Sequence, residues 1–309
     1  MSGLCEGRVV IVTGAGGGIG RAHALAFAAE EAKVVVNDLG GSRDGEGNSV
    51  GPAQTVVNEI VVAGGEAVAN ADDVSDWDGA QRLIAQAVET FGRLDVLVNN
   101  AGILRDKMLV NMSELEWDAV IKVHLKGTFA PTRHAAAYWR EQVKAGVAVD
   151  ARVINTTSPS GLFGNIGQAN YGSAKAGIAT FTIIAAGELA RYGVTVNAIA
   201  PTALTRMTED LPVMNELAKQ DEGGFNSLAP ENIAPLAVWL GSPESRDVTG
   251  RVFSVWGGRI TVNEGWAAGP HADRDAAWTP AELGAVIPQL VSSAAPNADM
   301  SGGRAVPVA

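Results

Sequence analysis

The chain has 309 residues, 47% of them hydrophobic and 18% charged, with a formal net charge of −11. That length and apolar content suit one large α/β unit, and the acidic balance, with no Lys/Arg run, argues against a nucleic-acid partner. The single cysteine, Cys5, excludes an intrachain disulfide and fits a reducing, cytoplasmic setting; no window reaches the roughly 18 apolar residues of a membrane span.

The opening segment reads as a strand, "RVVIVTG" (8–14), and not as a signal peptide. It runs into "VTGAGGGIGRA", where Gly14, Gly18 and Gly20 follow a strand and open a helix (18–31). Gly14 permits a tight turn, Gly18 lets a pyrophosphate approach the backbone, and Gly20 lets the helix pack close to the sheet, with Ile19 between the last two. The helix N-terminus then offers free N–H groups and a positive dipole end to phosphates. A second strand, "KVVVND" (33–38), ends on Asp38, 18 residues after Gly20. A carboxylate there accepts hydrogen bonds from adenosine ribose hydroxyls and repels a 2′-phosphate, which favours NAD over NADP.

A Gly-rich polar loop (40–51) carrying Arg43 leads to a helix (51–63), then to the strand "EAVANA" (66–71). Asp73-Val74 follows, placed to meet an adenine edge, with Asp72 the alternative if the assignment slips by one. A helix (75–92) and the strand "LDVLVNN" (94–100) deliver Asn100 and Gly102 to the carboxyl edge of the sheet, where such folds bind ligands. Taken alone, "NNAG" is an Asn/Gly turn. One long helix (113–145) carries His124; the strand "ARVINTTS" (151–158) ends on Ser158, and the next helix (170–192) carries Tyr171 and Lys175. Thr157 and Ser160 compete with Ser158 for its role. The strand "VTVNAIAP" (194–201), a long connection (201–224), a helix (230–240) and the strand "GRVFSVW" (250–256) complete the alternation.

Several strands are apolar at almost every position, as in a parallel sheet buried on both faces. The expectation is a Rossmann-type doubly wound, seven-stranded parallel sheet flanked by helices. Residues 1–260 would form this domain. Residues 261–309 would be a C-terminal extension packed on it or on a neighbouring subunit, with a helix starting at Thr279 as N-cap and Pro280. The closing "VPVA" is not a peroxisomal address. No HExxH or Cys/His set is present, so no metal is expected.

Read together, the glycine turn, "NNAG", Ser158 and Tyr171-x-x-x-Lys175 resemble the classical short-chain dehydrogenases/reductases over roughly residues 5 to 260. "VVVNDLGG", "NNAGILRDKM", "WDAVIKVHLKGTF", "GLFGNIGQANYGSAKAGI" and "TRMTE" resemble most closely the (3R)-hydroxyacyl-CoA dehydrogenase unit of peroxisomal multifunctional enzyme type 2 (17β-hydroxysteroid dehydrogenase type 4). The resemblance implies NAD-dependent oxidation of a secondary alcohol, a (3R)-3-hydroxyacyl-CoA or a steroid-type substrate, by a homodimer or homotetramer. Tyr171 would be the base, Ser158 would hold the substrate oxygen, and Lys175 would bind the nicotinamide ribose.

A tyrosine titrates near ~10, so the expectation is that the ammonium and the nicotinamide charge lower it. Among the chain's three tyrosines only Tyr171 has a lysine four residues on, on the same helix face. Where the family usually carries asparagine, this chain has His124, able to serve in a water relay. Thr202 replaces a common glycine, and Leu204 is the expected backbone contact to the carboxamide. The alternatives are an NADPH-dependent 3-oxoacyl-carrier-protein reductase and a non-catalytic dinucleotide-binding protein.

Overall fold

In a computed structural model, which describes residues 2–42, 44–47, 49–205 and 224–304, the runs of β-branched residues form the strands expected of them. Strands β1 (Val9–Thr13), β2 (Lys33–Asn37), β3 (Glu66–Asn70), β4 (Val96–Asn99), β5 (Ala151–Thr156), β6 (Val194–Thr202) and β7 (Val252–Trp256) are all parallel. Between them run α1 (Gly18–Ala29), α2 (Gly51–Val62), α3 (Trp77–Phe91), α4 (Glu114–Ile121), α5 (Gly127–Lys144), the short α6 (Pro159–Phe163), α7 (Ala169–Leu189) and α8 (Ala234–Gly241). The β1, β4 and β5 residues are buried throughout, as strands covered by helices on both faces must be. One core cluster joins α1, α2 and α8 to the sheet through Phe27, Ile60 and Leu240; the other joins α3, α5 and α7 through Leu83, Trp139 and Ala185.

The strand order is β3-β2-β1-β4-β5-β6-β7-β8. The order reverses between β1 and β4, which opens a crevice at their carboxyl ends. The expected count of seven strands needs correction: an eighth, β8 (Arg259–Asn263), pairs antiparallel with β7, so the sheet carries it at one edge and extends past residue 260. Trp256 pairs with Arg259 across Gly257 and Gly258, and Gly257 takes the left-handed backbone (φ 53) that a two-residue hairpin requires.

The expected helix over 113–145 is also interrupted. Ser113 caps α4 by accepting from the Glu116 N–H, while the Glu116 carboxylate accepts from the Ser113 N–H; Lys122–Lys126 is then a π-helical turn before α5 begins. Such turns fit one extra residue into a helix and cluster at functional sites.

The chain divides into two units, residues 1–263 and 264–309. The second holds α9 (Pro280–Ser293), which starts where the sequence indicates: the Glu282 carboxylate accepts from both the N–H and the hydroxyl of Thr279. Most of the long connection after β6, residues 206–223, lies outside the described residues, as does Arg43. No helix among the described residues is long and apolar enough to cross a membrane.

Candidate active site

The glycine turn explains its own composition. Gly14 has φ 63, and a Cβ on it would lie 2.8 Å from the Ala101 Cα. A Cβ on Gly20 would lie 2.1 Å from the Gly14 carbonyl oxygen, so α1 approaches β1 only because none is there. Gly18 (φ 51) is exposed at the first position of α1, and Ile19 packs half-buried on the core. The N-cap residue Gly17 provides no side-chain cap, and the first turn carries no acid. The terminal N–H groups therefore face outward with the positive end of the helix dipole, an environment that fits a dinucleotide's phosphates.

Asp38 follows β2 and is fixed by two backbone donors, the Gly16 N–H (2.8 Å) and the Gly40 N–H (2.7 Å), one on each carboxylate oxygen. Gly16 was not singled out by the spacing argument. Its Cβ would lie 2.7 Å from the Asp38 carboxylate, so the glycine run itself carries that signal. Asp73 and Asp72 are distinguishable. Asp72 accepts from the Arg82 Nε at 2.8 Å; Asp73 accepts from the Ser75 N–H (2.8 Å) and hydroxyl (2.6 Å) and lies 3.7 Å from the Lys122 Nζ. Val74 is buried beside it.

Asn100 turns inward. Its N–H donates to the Thr13 hydroxyl (2.9 Å), and its side-chain amide donates to the carbonyls of Thr13 (3.0 Å) and Gly14 (3.3 Å). It pins the end of β4 to the glycine turn. Gly102 leaves room for an imidazole: a Cβ there would be 2.3 Å from the His124 Cε1. His124 is buried in the π turn, with Nε2 lying 2.8 Å from the Ile103 carbonyl and 3.1 Å from the Ile103 N–H. One nitrogen serves only one of these at a time, so the tautomer decides which bond is made. Nδ1 has no partner among the described residues. Burial, and the Lys175 charge after it, push the imidazole down to about 3, so it is neutral.

Tyr171, on α7, meets the His124 ring edge-on at 5.1 Å between centroids and hydrogen-bonds Ser158. Ser158 ends the segment after β5 and caps α6 by accepting from the Ser160 N–H at 3.2 Å. The competitors for its role are engaged elsewhere: the Thr157 hydroxyl donates to the Lys175 carbonyl (2.7 Å) and the Ser160 hydroxyl to Gln168 (2.7 Å). Lys175 sits one helical turn beyond Tyr171, with Nζ 5.6 Å from the phenol ring centroid and donating to the Thr156 carbonyl at 2.6 Å.

The expected lowering of the phenol rests on the nicotinamide charge as well as the ammonium; in the protein on its own, burial dominates. Burial pushes Tyr171 up to about 12, against the hydrogen bond from Ser158, and the Asp106 charge adds to the rise. Desolvation brings Lys175 down to about 7, so its ammonium is only partly charged near neutrality.

Leu204 follows β6, and its N–H donates to the Leu228 carbonyl at 2.8 Å. Asn170 was missed in the sequence. Fully buried, it donates to the carbonyls of Arg105 (2.9 Å) and Glu116 (3.2 Å) and accepts from the Tyr171 N–H (2.7 Å). It thereby ties the start of α7 to the segments after β4. Its only sequence signal is its place next to the tyrosine.

A dinucleotide cradle at the switch point, and a serine, tyrosine and lysine converging beside it, define an oxidoreductase site that works with a nicotinamide dinucleotide. The short chain dehydrogenase family model matches residues 8–215. The chain is 44% identical over 307 residues to hydroxyacyl-CoA dehydrogenase ChsB1 of Mycobacterium tuberculosis, covering 96% of this chain and 92% of that protein. It is 46% identical over 256 residues to mouse peroxisomal multifunctional enzyme type 2, spanning 82% of this chain but only 32% of that larger protein. A crystal structure of a short chain dehydrogenase from Mycobacterium avium superposes with a TM-score of 0.85 at 61% identity, covering 96% of this chain and 98% of that one. The chain belongs to the short-chain dehydrogenase family and is an oxidoreductase.

Proposed function

We propose that this chain is an NAD-dependent dehydrogenase of secondary alcohols, with (3R)-3-hydroxyacyl-CoA thioesters as its substrates and steroid-type alcohols next in line. The observation that carries the substrate class is the end-to-end likeness to a protein named hydroxyacyl-CoA dehydrogenase. The preference for NAD rests on Asp38, whose carboxylate two backbone N–H groups hold in place. A ribose hydroxyl finds a fixed acceptor there, and a 2′-phosphate finds a fixed negative charge.

Ser158 holds the substrate oxygen through its hydroxyl, and Tyr171 takes the hydroxyl proton as phenolate. A bound oxidised nicotinamide would supply the hydride acceptor, and its positive charge would favour the Tyr171 phenolate against the burial that pushes the phenol up to about 12. Lys175 binds the nicotinamide ribose and supplies further positive charge. His124, neutral and with its buried Nδ1 unpartnered among the described residues, passes the proton on through water. Gly14, Gly18, Ile19 and Gly20 hold the phosphates, and Asp73 and Val74 the adenine. The same reading includes a homodimer or homotetramer and, with one free, buried cysteine, a cytoplasmic location.

Purified protein given NAD and (3R)-3-hydroxyacyl-CoA substrates is expected to generate NADH absorbance, with Tyr171→Phe losing far more than tenfold in rate. Silence across chain lengths and steroid alcohols would sink the substrate class. A loss under about tenfold in Tyr171→Phe would sink the mechanism. The second reading, a 3-oxoacyl-carrier-protein reductase, is favoured by 42% identity to such a reductase from Synechocystis over 97% of its length. Tighter binding of NADPH than of NADH would select it.

A further inference from the structure

The loop that joins β2 to α2 does not simply turn back. Its base is closed by the Ser49 N–H donating to the Leu39 carbonyl at 2.8 Å, and a Cβ on Gly40 (φ 73) would lie 1.9 Å from the Ser49 oxygen. A second turn is set by Ser42, whose N–H donates to the Glu46 carbonyl (2.8 Å) and whose own carbonyl accepts from Gly45 (2.9 Å). The tip, Asp44 and Gly45, rests on the segment after β4. There the Arg105 Nε donates to the Asp44 carbonyl at 2.8 Å, and a Cβ on Gly45 would sit 3.2 Å from two side-chain carbons of Ile103.

β2 and β4 are the two neighbours of β1 in the sheet. A loop that leaves β2 and lands beyond β4 therefore spans the carboxyl end of β1, where the glycine turn and the open N-terminus of α1 lie. It leaves beside Asp38 and lands on Ile103, whose backbone holds His124. The bridge thus joins the ribose end of the site to the catalytic end.

We propose that residues 40–42, 44–47 and 49, between β2 and α2, form a strap that retains the bound dinucleotide, with Arg105 as its latch. The proposal rests on the reading of the glycine turn and Asp38 as a dinucleotide site. Arg105 is a positioning residue here: it acts through the strap and touches no reacting atom. Because it grips a main-chain carbonyl, the latch does not depend on the side chain at residue 44. One hydrogen bond at the tip makes a closure that opens readily, as release at each turnover demands.

The test uses the full-length protein and two measurements on Arg105→Ala. Stopped-flow fluorescence follows NADH release into excess NAD, and amide hydrogen exchange follows residues 44–47 in protein free of dinucleotide. Expected are faster exchange in the strap and release about tenfold faster, with association little changed and Arg105→Lys restoring part of both. Faster exchange with release unchanged within about twofold overturns the strap, and exchange unchanged overturns the latch. Wild-type protein that binds neither NADH nor NADPH overturns the dinucleotide reading and the proposal with it; dinucleotide binding with an unaltered release rate overturns the proposal alone. Should Arg105→Ala fail to fold, replacing residues 42–47 by two glycines removes the tip while leaving Arg105 in place, and the same rise in release is required.

Discussion

Gly102 has no room for a side chain, because the His124 imidazole occupies the space one would need. Gly102→Ala is expected to push the ring off Ile103 and lower kcat for alcohol oxidation by roughly tenfold or more, the scale of a lost proton-transfer group. The measurement that separates two roles for this glycine is dinucleotide affinity. Unchanged affinity assigns it to seating the imidazole, whereas a rise in Kd in step with the fall in kcat assigns it to cofactor contact. That Ser158, Tyr171 and Lys175 come together was legible in the sequence, from the Tyr-x-x-x-Lys spacing and the family resemblance. The job of Gly102 was not, since it depends on a residue 22 positions on, brought close only by the fold. Asn100 teaches the same lesson. The sequence puts it at the ligand edge, but its amide is consumed by the Thr13 and Gly14 carbonyls, which no pattern within "NNAG" announces.

At the scale of elements, the approach of α1 to β1 sets the depth of the cofactor cleft. Gly20→Ala would place a carbon 2.1 Å from the Gly14 oxygen and 2.6 Å from the Asn100 amide nitrogen. One obstacle is the turn's own backbone and the other is the Asn100 amide that pins the end of β4 to it, so the helix must move. A loss of about 1–3 kcal/mol in urea unfolding is expected, together with weaker dinucleotide binding by titration. The seven parallel strands were readable from their apolar runs. β8 was not counted although "RITVN" after Gly257-Gly258 has a hairpin's composition, because only its pairing with β7 distinguishes it from an irregular tail. The π turn is harder still: nothing in the periodicity of residues 113–145 marks where one extra residue is absorbed.

For the molecule as a whole, stability is tied to pH through histidines that the fold keeps neutral. His23, on α1, is completely buried, and neither ring nitrogen has a partner among the described residues; burial pushes it down to about 4. The unfolded chain binds its proton near 6.5 and the folded one does not, so stability is intact above that value and is lost as pH falls from 6.5 towards 4. Between pH 7 and 5 this site alone should cost about 2 kcal/mol. His23→Leu, which cannot take up the proton, should flatten the pH dependence of the urea midpoint over that range. An equally steep dependence in the variant would assign the effect to other groups.

The π turn at Lys122–Lys126 has a consequence for how this chain can change over time. Losing one codon there would restore α-helical winding and rotate everything upstream by about 100° relative to α5. That rotation would swing α4 and its capping box around the axis and carry His124 away from Ile103 and Tyr171. Substitutions in this stretch are judged one side chain at a time, but a deletion is judged by the whole helix. Lineages descended from this sequence should therefore drift in spelling at the positions beside His124 while keeping the number of residues from 122 to 126 fixed.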